Sequence, residues 1–271
     1  MRSMITDSQS EDLLWRPSED RVARSQMFEL MQRAAANFGF AHDYASMHRW
    51  SVTRRDQFWG EMFEYAGIGH SRPATSVATG SGMLGTKWFD GLEFNFAEHL
   101  LRFDDDRVAI EAEDELGRMR TITYRQLRAE VAALAGALRA AGLKRGDRVG
   151  AFMPNVPETV IAMLATASIG AIFSSCSPDF GIDGVIDRFG QIEPKILFAA
   201  DSYSYNGKKI DLLERVRGIV ARIPSIEHVV IVPFMGASPK LDGIRAATNW
   251  SQFTGVNPNP EREREGGPPV A

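Results

Sequence analysis

The stretch from residue 118 to 181 constrains the fold more than any other, because helical and strand periodicities alternate along it. Residues 120–122 can form a strand. Thr123 can cap a helix, since its hydroxyl can accept one of the first free backbone N–H groups. Leu127, Val131, Leu134 and Leu138 then recur at helical spacing and make one apolar stripe. Gly142 suits the helix end, where the left-handed conformation costs glycine little. Residues 148–153 read as a buried strand. Asn155 and Pro157 suit the start of a second helix, with Pro157 in its first turn. Val160, Ile161, Leu164 and Ile169 line that helix, and residues 171–174 make a third strand. Helices between strands imply right-handed crossovers and a parallel sheet, so the stretch predicts a βαβαβ unit.

The rest of the chain extends the pattern. Residues 107–113 read as a strand, with a turn at 117–119. Residues 183–191 predict a short helix, broken by Pro194. Residues 195–199, KILFA, predict a strand, residues 208–222 a helix, and residues 229–232 a further strand. The expected assembly is α/β, with an N-terminal helical cap followed by an incomplete doubly wound parallel sheet. The cap comes from the first ninety residues, which show helices over about 18–38 and 53–66 and no clear strand. Phe28, Met31, Ala35 and Phe38 share one face of the first helix, and Phe58, Met62 and Tyr65 one face of the second. Aromatic stripes at this spacing serve as core. Trp250 and Phe253 fit a short helix and loop.

Several function classes are excluded by totals or spacing. A formal net charge of −4 gives no sequence-wide field for nucleic acid. The most apolar run, 160–173, is shorter than the roughly 20 residues of a membrane helix, so no membrane partner is expected. One cysteine, Cys176, excludes an internal disulfide and fits a reducing compartment such as the cytoplasm. It lies in an apolar stretch and reads as a buried structural thiol. The first 20 residues carry charges throughout and do not resemble a signal peptide. The five histidines show no metal-ligand spacing, so no metal residue is assigned. Asp104, Asp105 and Asp106 read as a solvated turn. Gly80 and Gly85 have phosphate-loop spacing, but Thr86 precedes Lys87 and no apolar strand leads in, so the lysine is out of register.

Four segments carry a resemblance to a known family: TYRQL (123–127), GLKRGDRVGAFMPN (142–155), PE (157–158) and GAIFSSCSPDF (170–180). Their order and spacing resemble the first part of the nucleotide-binding domain of acyl-adenylate-forming, AMP-binding acyl-CoA synthetases. KWFDGLEFNFAEHLL (87–101) is similar to the element that joins an N-terminal extension to that domain. LWRPSEDRVARSQM (14–27), DYASMHRWSVTRRDQFW (43–59), SSCSPDFG (174–181) and YNGKK (205–209) look most like the acetoacetyl-CoA synthetase branch. The resemblance covers about residues 12–253. It implies an N-terminal extension over 1–102 and the first part of the AMP-binding domain over 103–255. Residues 256–271, VNPNPEREREGGPPVA, have no apolar face and read as a disordered tail.

The resemblance also implies a reaction. ATP, a short acyl acid such as acetoacetate and coenzyme A give the acyl-CoA, AMP and pyrophosphate, with Mg²⁺ at the nucleotide. The partners are thus small molecules. The family's Ser/Thr/Gly-rich loop around the α-phosphate has no counterpart in the sequence, so no catalytic residue carries over. The abrupt change near Val256 suggests a truncation or a lost reading frame, and the chain by itself is expected to be inactive. One piece of the coenzyme A site does carry over. Two basic residues of the family match Tyr205 and Lys208; a lysine ammonium suits a coenzyme A phosphate, and tyrosine stands where the other basic residue would be. Ser177 and Pro178 match positions near the same ligand. The alternatives are another short-chain acyl-CoA synthetase or a non-catalytic coenzyme A-binding module.

Overall fold

The computed structural model describes residues 14–115, 117–234 and 239–255. The proposed tail, 256–271, lies outside them. The chain divides after Phe94 into two compact units.

In the first unit four helices precede a small antiparallel ribbon: α1 (Glu19–Ala23), α2 (Gln26–Phe38), α3 (Tyr44–Thr53), α4 (Arg55–Ala66), β1 (Ser76–Thr79), the short α5 (Gly82–Gly85) and β2 (Lys87–Asp90). Ser18 caps α1 as its position suggests. The single helix expected over 18–38 is two, because Ser25 interrupts it. Its hydroxyl accepts from Phe28 N at 3.2 Å, so the side chain caps a new helix rather than continuing the old one. The helix α3 is new, and Asp43 starts it by accepting from Ser46 N at 2.8 Å. Leu30, Ala34, Met47 and Trp50 are buried among Phe38, Phe40, Phe58, Met62 and Tyr65. The second stripe and Met31 and Phe38 of the first are partly buried against this core, whose own α2 residues, Leu30 and Ala34, lie beside the expected stripe. The expectation of no strand before residue 90 fails at β1 and β2, which pair with Ala78 opposite Trp88. A side chain at Gly80 would place Cβ 2.1 Å from the Gly85 carbonyl oxygen. The glycines that mimic a phosphate loop thus close this ribbon.

The second unit opens with α6 (Phe96–Leu100) and a two-stranded antiparallel ribbon, β3 (Val108–Glu113) and β4 (Met119–Thr123). Then come α7 (Tyr124–Ala140), β5 (Arg148–Phe152), α8 (Pro157–Ser168), β6 (Ile172–Cys176), α9 (Ile182–Ile192) and β7 (Ile196–Ala200). A hairpin of β8 (Ser202–Tyr205) and β9 (Lys208–Asp211) follows, then α10 (Leu213–Arg222), β10 (His228–Val232), β11 (Ala247–Asn249) and α11 (Trp250–Thr254). Thr123 and Gln126 form a reciprocal capping box at the start of α7, and Pro157 occupies the first turn of α8.

Five strands make one parallel sheet in the order β11-β10-β7-β5-β6. The chain steps from β5 to β6 and then crosses back to β7 on the far side of β5. Right-handed crossovers then put α8 and α9 on opposite faces. Accordingly α7 packs on α8, and α9 packs on α10. Phe152, Ile161, Phe189, Phe198, Leu134 and Leu138 are fully buried between these layers. At about 1.5–3 kcal/mol per large side chain, this layered core outweighs any single polar contact in the unit.

Two expectations are corrected. The first strand of the predicted βαβαβ unit is not in the parallel sheet: β4 pairs antiparallel with β3 alone. Arg120 on this strand ties the ribbon to α8, its guanidinium reaching Glu158 at 2.8 Å. The helix expected over 208–222 begins only at Leu213, because 208–211 form β9.

Candidate functional site

The turn Asn206–Gly207 sets the local geometry of the hairpin. Both residues have positive φ, 49° and 71°. Such a two-residue turn matches the twist of the strands it joins, and Asn-Gly is the sequence that best adopts it. Register then follows. Tyr205 lies opposite Lys208, Ser204 opposite Lys209, Tyr203 opposite Ile210 and Ser202 opposite Asp211. Side chains alternate along a strand, so Tyr203, Tyr205, Lys208 and Ile210 share one face.

That face is tied to the turn after β6. Ser177 Oγ donates to Asp179 Oδ2 at 3.0 Å and accepts from Asp179 N at 3.3 Å. The other carboxylate oxygen, Oδ1, accepts from the Tyr203 hydroxyl at 2.8 Å. Arg215 on α10 donates to the carbonyl of buried Pro178 at 2.9 Å. The structure therefore brings Ser177 and Pro178 to the hairpin that bears Tyr205 and Lys208. Tyr205 and Lys208 are themselves exposed. Both segments leave the carboxyl ends of β6 and β7, the strands that flank β5. This is where the strand order reverses, the place at which open α/β sheets hold ligands.

Sequence reasoning missed four residues of this arrangement: Asp179, Tyr203, Arg215 and Asp201. Asp201 is buried at the end of β7. Its Oδ1 accepts from Ser202 Oγ at 3.0 Å and from Phe234 N at 2.8 Å, and its carbonyl accepts from Leu212 N at 2.8 Å. It pins both ends of the hairpin. The Asn-Gly dipeptide between alternating residues was the signal for the hairpin; nothing in the sequence marks Asp201.

Burial pushes the Tyr203 hydroxyl above the ordinary tyrosine range, and its hydrogen bond to Asp179 pushes it further, so the group stays a donor. Burial likewise raises the Cys176 thiol, against the opposing charge of Arg188. A raised thiol pKa removes the thiolate, so Cys176 is not an activated nucleophile. The acidic run is spent on pairing: Asp105 holds Arg107, and Asp104 and Asp106 hold Arg125. Among the described residues no group of three His, Cys, Asp or Glu could hold a metal ion, and no helix is long and apolar enough to cross a membrane.

The hairpin face exposes an ammonium and an aromatic ring side by side. An exposed ammonium at Lys208 can pair with a phosphate, and an exposed ring at Tyr205 can stack on a heterocycle.

Comparison with known proteins agrees in family. The model of the AMP-binding enzyme family matches residues 96–265, and that of the acetyl-coenzyme A synthetase N-terminus matches residues 44–100. An acetoacetyl-coenzyme A synthetase of Rhizobium meliloti (strain 1021) is 44% identical over 237 residues, 86% of this chain and 36% of its own length. An acetoacetyl-CoA synthetase of Macaca fascicularis is 39% identical over 85% of this chain and 35% of its own. The solved acetoacetyl-CoA synthetase from Streptomyces lividans superposes with a TM-score of 0.84 at 36% identity, covering 91% of this chain and 38% of that one. The chain spans little more than a third of the length of these relatives. With more than half of its residues inside one family model and the parallel sheet in place, the chain belongs to the AMP-binding enzyme family.

Proposed function

We propose that this chain is part of an acetoacetate–CoA ligase, for which ATP, acetoacetate and coenzyme A give AMP, pyrophosphate and acetoacetyl-CoA. Its residues 1–102 act as the N-terminal extension and 103–255 as the first part of the AMP-binding domain. The share carried by these residues is recognition of coenzyme A, with Lys208 on a phosphate, Tyr205 against the adenine, and Ser177 and Pro178 beside them. The observation that supports this most is the shared placement of the four residues, at the carboxyl ends of β6 and β7 and linked through Asp179 and Tyr203. Acetoacetate as the acyl substrate is supported by the acetoacetyl-CoA synthetases among the relatives, at 36–44% identity, beside a malonamoyl-CoA synthetase of Penicillium aethiopicum at 37%. ATP and Mg²⁺ belong to the reaction of the complete enzyme. These 271 residues by themselves form no acyl-adenylate, because the sequence contains no Ser/Thr/Gly-rich phosphate loop. The setting is cytoplasmic, in keeping with a lone buried thiol.

Two measurements test this. Calorimetric titration with coenzyme A should show binding that Lys208→Ala weakens; unchanged affinity would remove the coenzyme A role. Acetoacetate-dependent exchange of pyrophosphate into ATP should be absent for the 271-residue chain. Measurable exchange would overturn the assignment of adenylation to other residues.

A further inference from the structure

The two segments assigned to coenzyme A are joined by a direct side-chain bond, from Tyr203 Oη to Asp179 Oδ1 at 2.8 Å, and Arg215, which also interacts with Tyr203, donates to the carbonyl of Pro178 beside it. Tyr203 is 6% exposed and lies on the Lys208 face of the hairpin, one alternation inward from the Tyr205–Lys208 pair. Asp179 is anchored at its other oxygen by Ser177. The hairpin has few other restraints at its outer end. Its inner end is held by Asp201, through Ser202 Oγ and Leu212 N, whereas Tyr205, Asn206, Gly207, Lys208 and Lys209 are all exposed. A two-stranded hairpin is marginally stable alone, so its outer pair takes its direction from whatever bond lies nearest.

We infer that Tyr203 and Asp179 are positioning residues, which aim Lys208 at the phosphate it binds by fixing the Tyr203–Ile210 pair, from which the exposed Tyr205–Lys208 end projects, to the turn after β6. The inference rests on the coenzyme A reading above. It assigns to Tyr203 no contact with the ligand. Its effect passes through Lys208, so the two residues must act as one unit.

The experiment is a double-mutant cycle on the full chain, read by calorimetric titration with coenzyme A and by thermal melting. Lys208→Ala should weaken affinity about tenfold, as loss of a charged hydrogen bond does. Tyr203→Phe, which deletes one hydroxyl, should weaken it about fivefold in protein that is fully folded at the titration temperature. In the Lys208→Ala background, Tyr203→Phe should have no further effect. Asp179→Ala removes the acceptor instead of the donor and should match Tyr203→Phe, which keeps the test available if one variant does not fold. If Lys208→Ala weakens binding and neither Tyr203→Phe nor Asp179→Ala does, the positioning role is overturned and the coenzyme A site stands. Full additivity of Tyr203→Phe and Lys208→Ala would overturn it too. No change in any variant would overturn the coenzyme A reading itself.

Discussion

Arg120 on β4 and Glu158 in the first turn of α8 form an ion pair at 2.8 Å, with the carboxylate side chain only 5% exposed. The pair fixes the β3–β4 ribbon to a helix of the main sheet. A buried carboxylate stripped of its cation is costly, about 3–5 kcal/mol for a fully buried pair. Arg120 is about one-third exposed, which reduces that figure. We expect Arg120→Ala to lower unfolding free energy by about 2 kcal/mol in urea titration, and Glu158→Gln to lower it by less. Equal stability of Arg120→Ala and the parent would show that water replaces the guanidinium at no cost.

Gly150 lies in the middle of β5 beneath α9. A Cβ there would stand 3.3 Å from Phe189 Cε2 and 3.4 Å from Leu197 Cδ1. Both neighbours are fully buried and have little room to yield. Gly150→Ala should therefore destabilise by about 1–3 kcal/mol, the range of overpacked cores. Phe189→Leu in the same chain should recover part of the loss, measured as a shift in denaturation midpoint.

Tyr203 links stability to pH. Its folded pKa is raised by burial and then by Asp179, so the folded state holds the hydroxyl proton more tightly than the unfolded chain does. The stability this gives is fully present below the ordinary tyrosine pKa of about 10 and disappears as pH climbs through the higher folded value. Melting temperature should accordingly fall in the alkaline range, and Tyr203→Phe should fall less steeply. Parallel slopes for the two proteins would mean that the Tyr203 proton is not linked to folding.

Cys176 is 4% exposed and its thiol is raised by burial. It is also the chain's single cysteine. A disulfide-exchange reagent at pH 8 should therefore react slowly with native protein and liberate one equivalent promptly in denaturant. Rapid labelling of the native chain would reveal opening at the end of β6.

Much of the fold was legible because the sheet strands are short apolar runs and helices such as α1 and α7 begin with recognisable caps. The runs at 148–153, 195–199 and 229–232 all lie in the parallel sheet, within a residue or so. Thr123, Pro157 and Gly142 act as their chemistry suggests. Residues 208–222 misled for a physical reason. Ile210, Leu213 and Val216 satisfy helical spacing, yet Ile210 is a strand residue whose face is set by the Asn-Gly turn. The β1–β2 ribbon was hidden by its glycines. At the site, exposed charge and ring were visible in sequence at Lys208 and Tyr205, but the link between Asp179 and Tyr203 spans 24 positions and depends on how two loops converge.

The junction at Thr123 has a mechanical consequence. Thr123 is at once the last residue of β4 and the cap of α7, so strand and helix meet with no residue between them. The ribbon therefore has no hinge at that point: any tilt of β4 is delivered to a 17-residue helix. Insertion of one residue there would turn α7 by about 100° about its own axis. Leu127, Val131, Leu134 and Leu138 would then rotate out of the core together, a failure of phase rather than of composition.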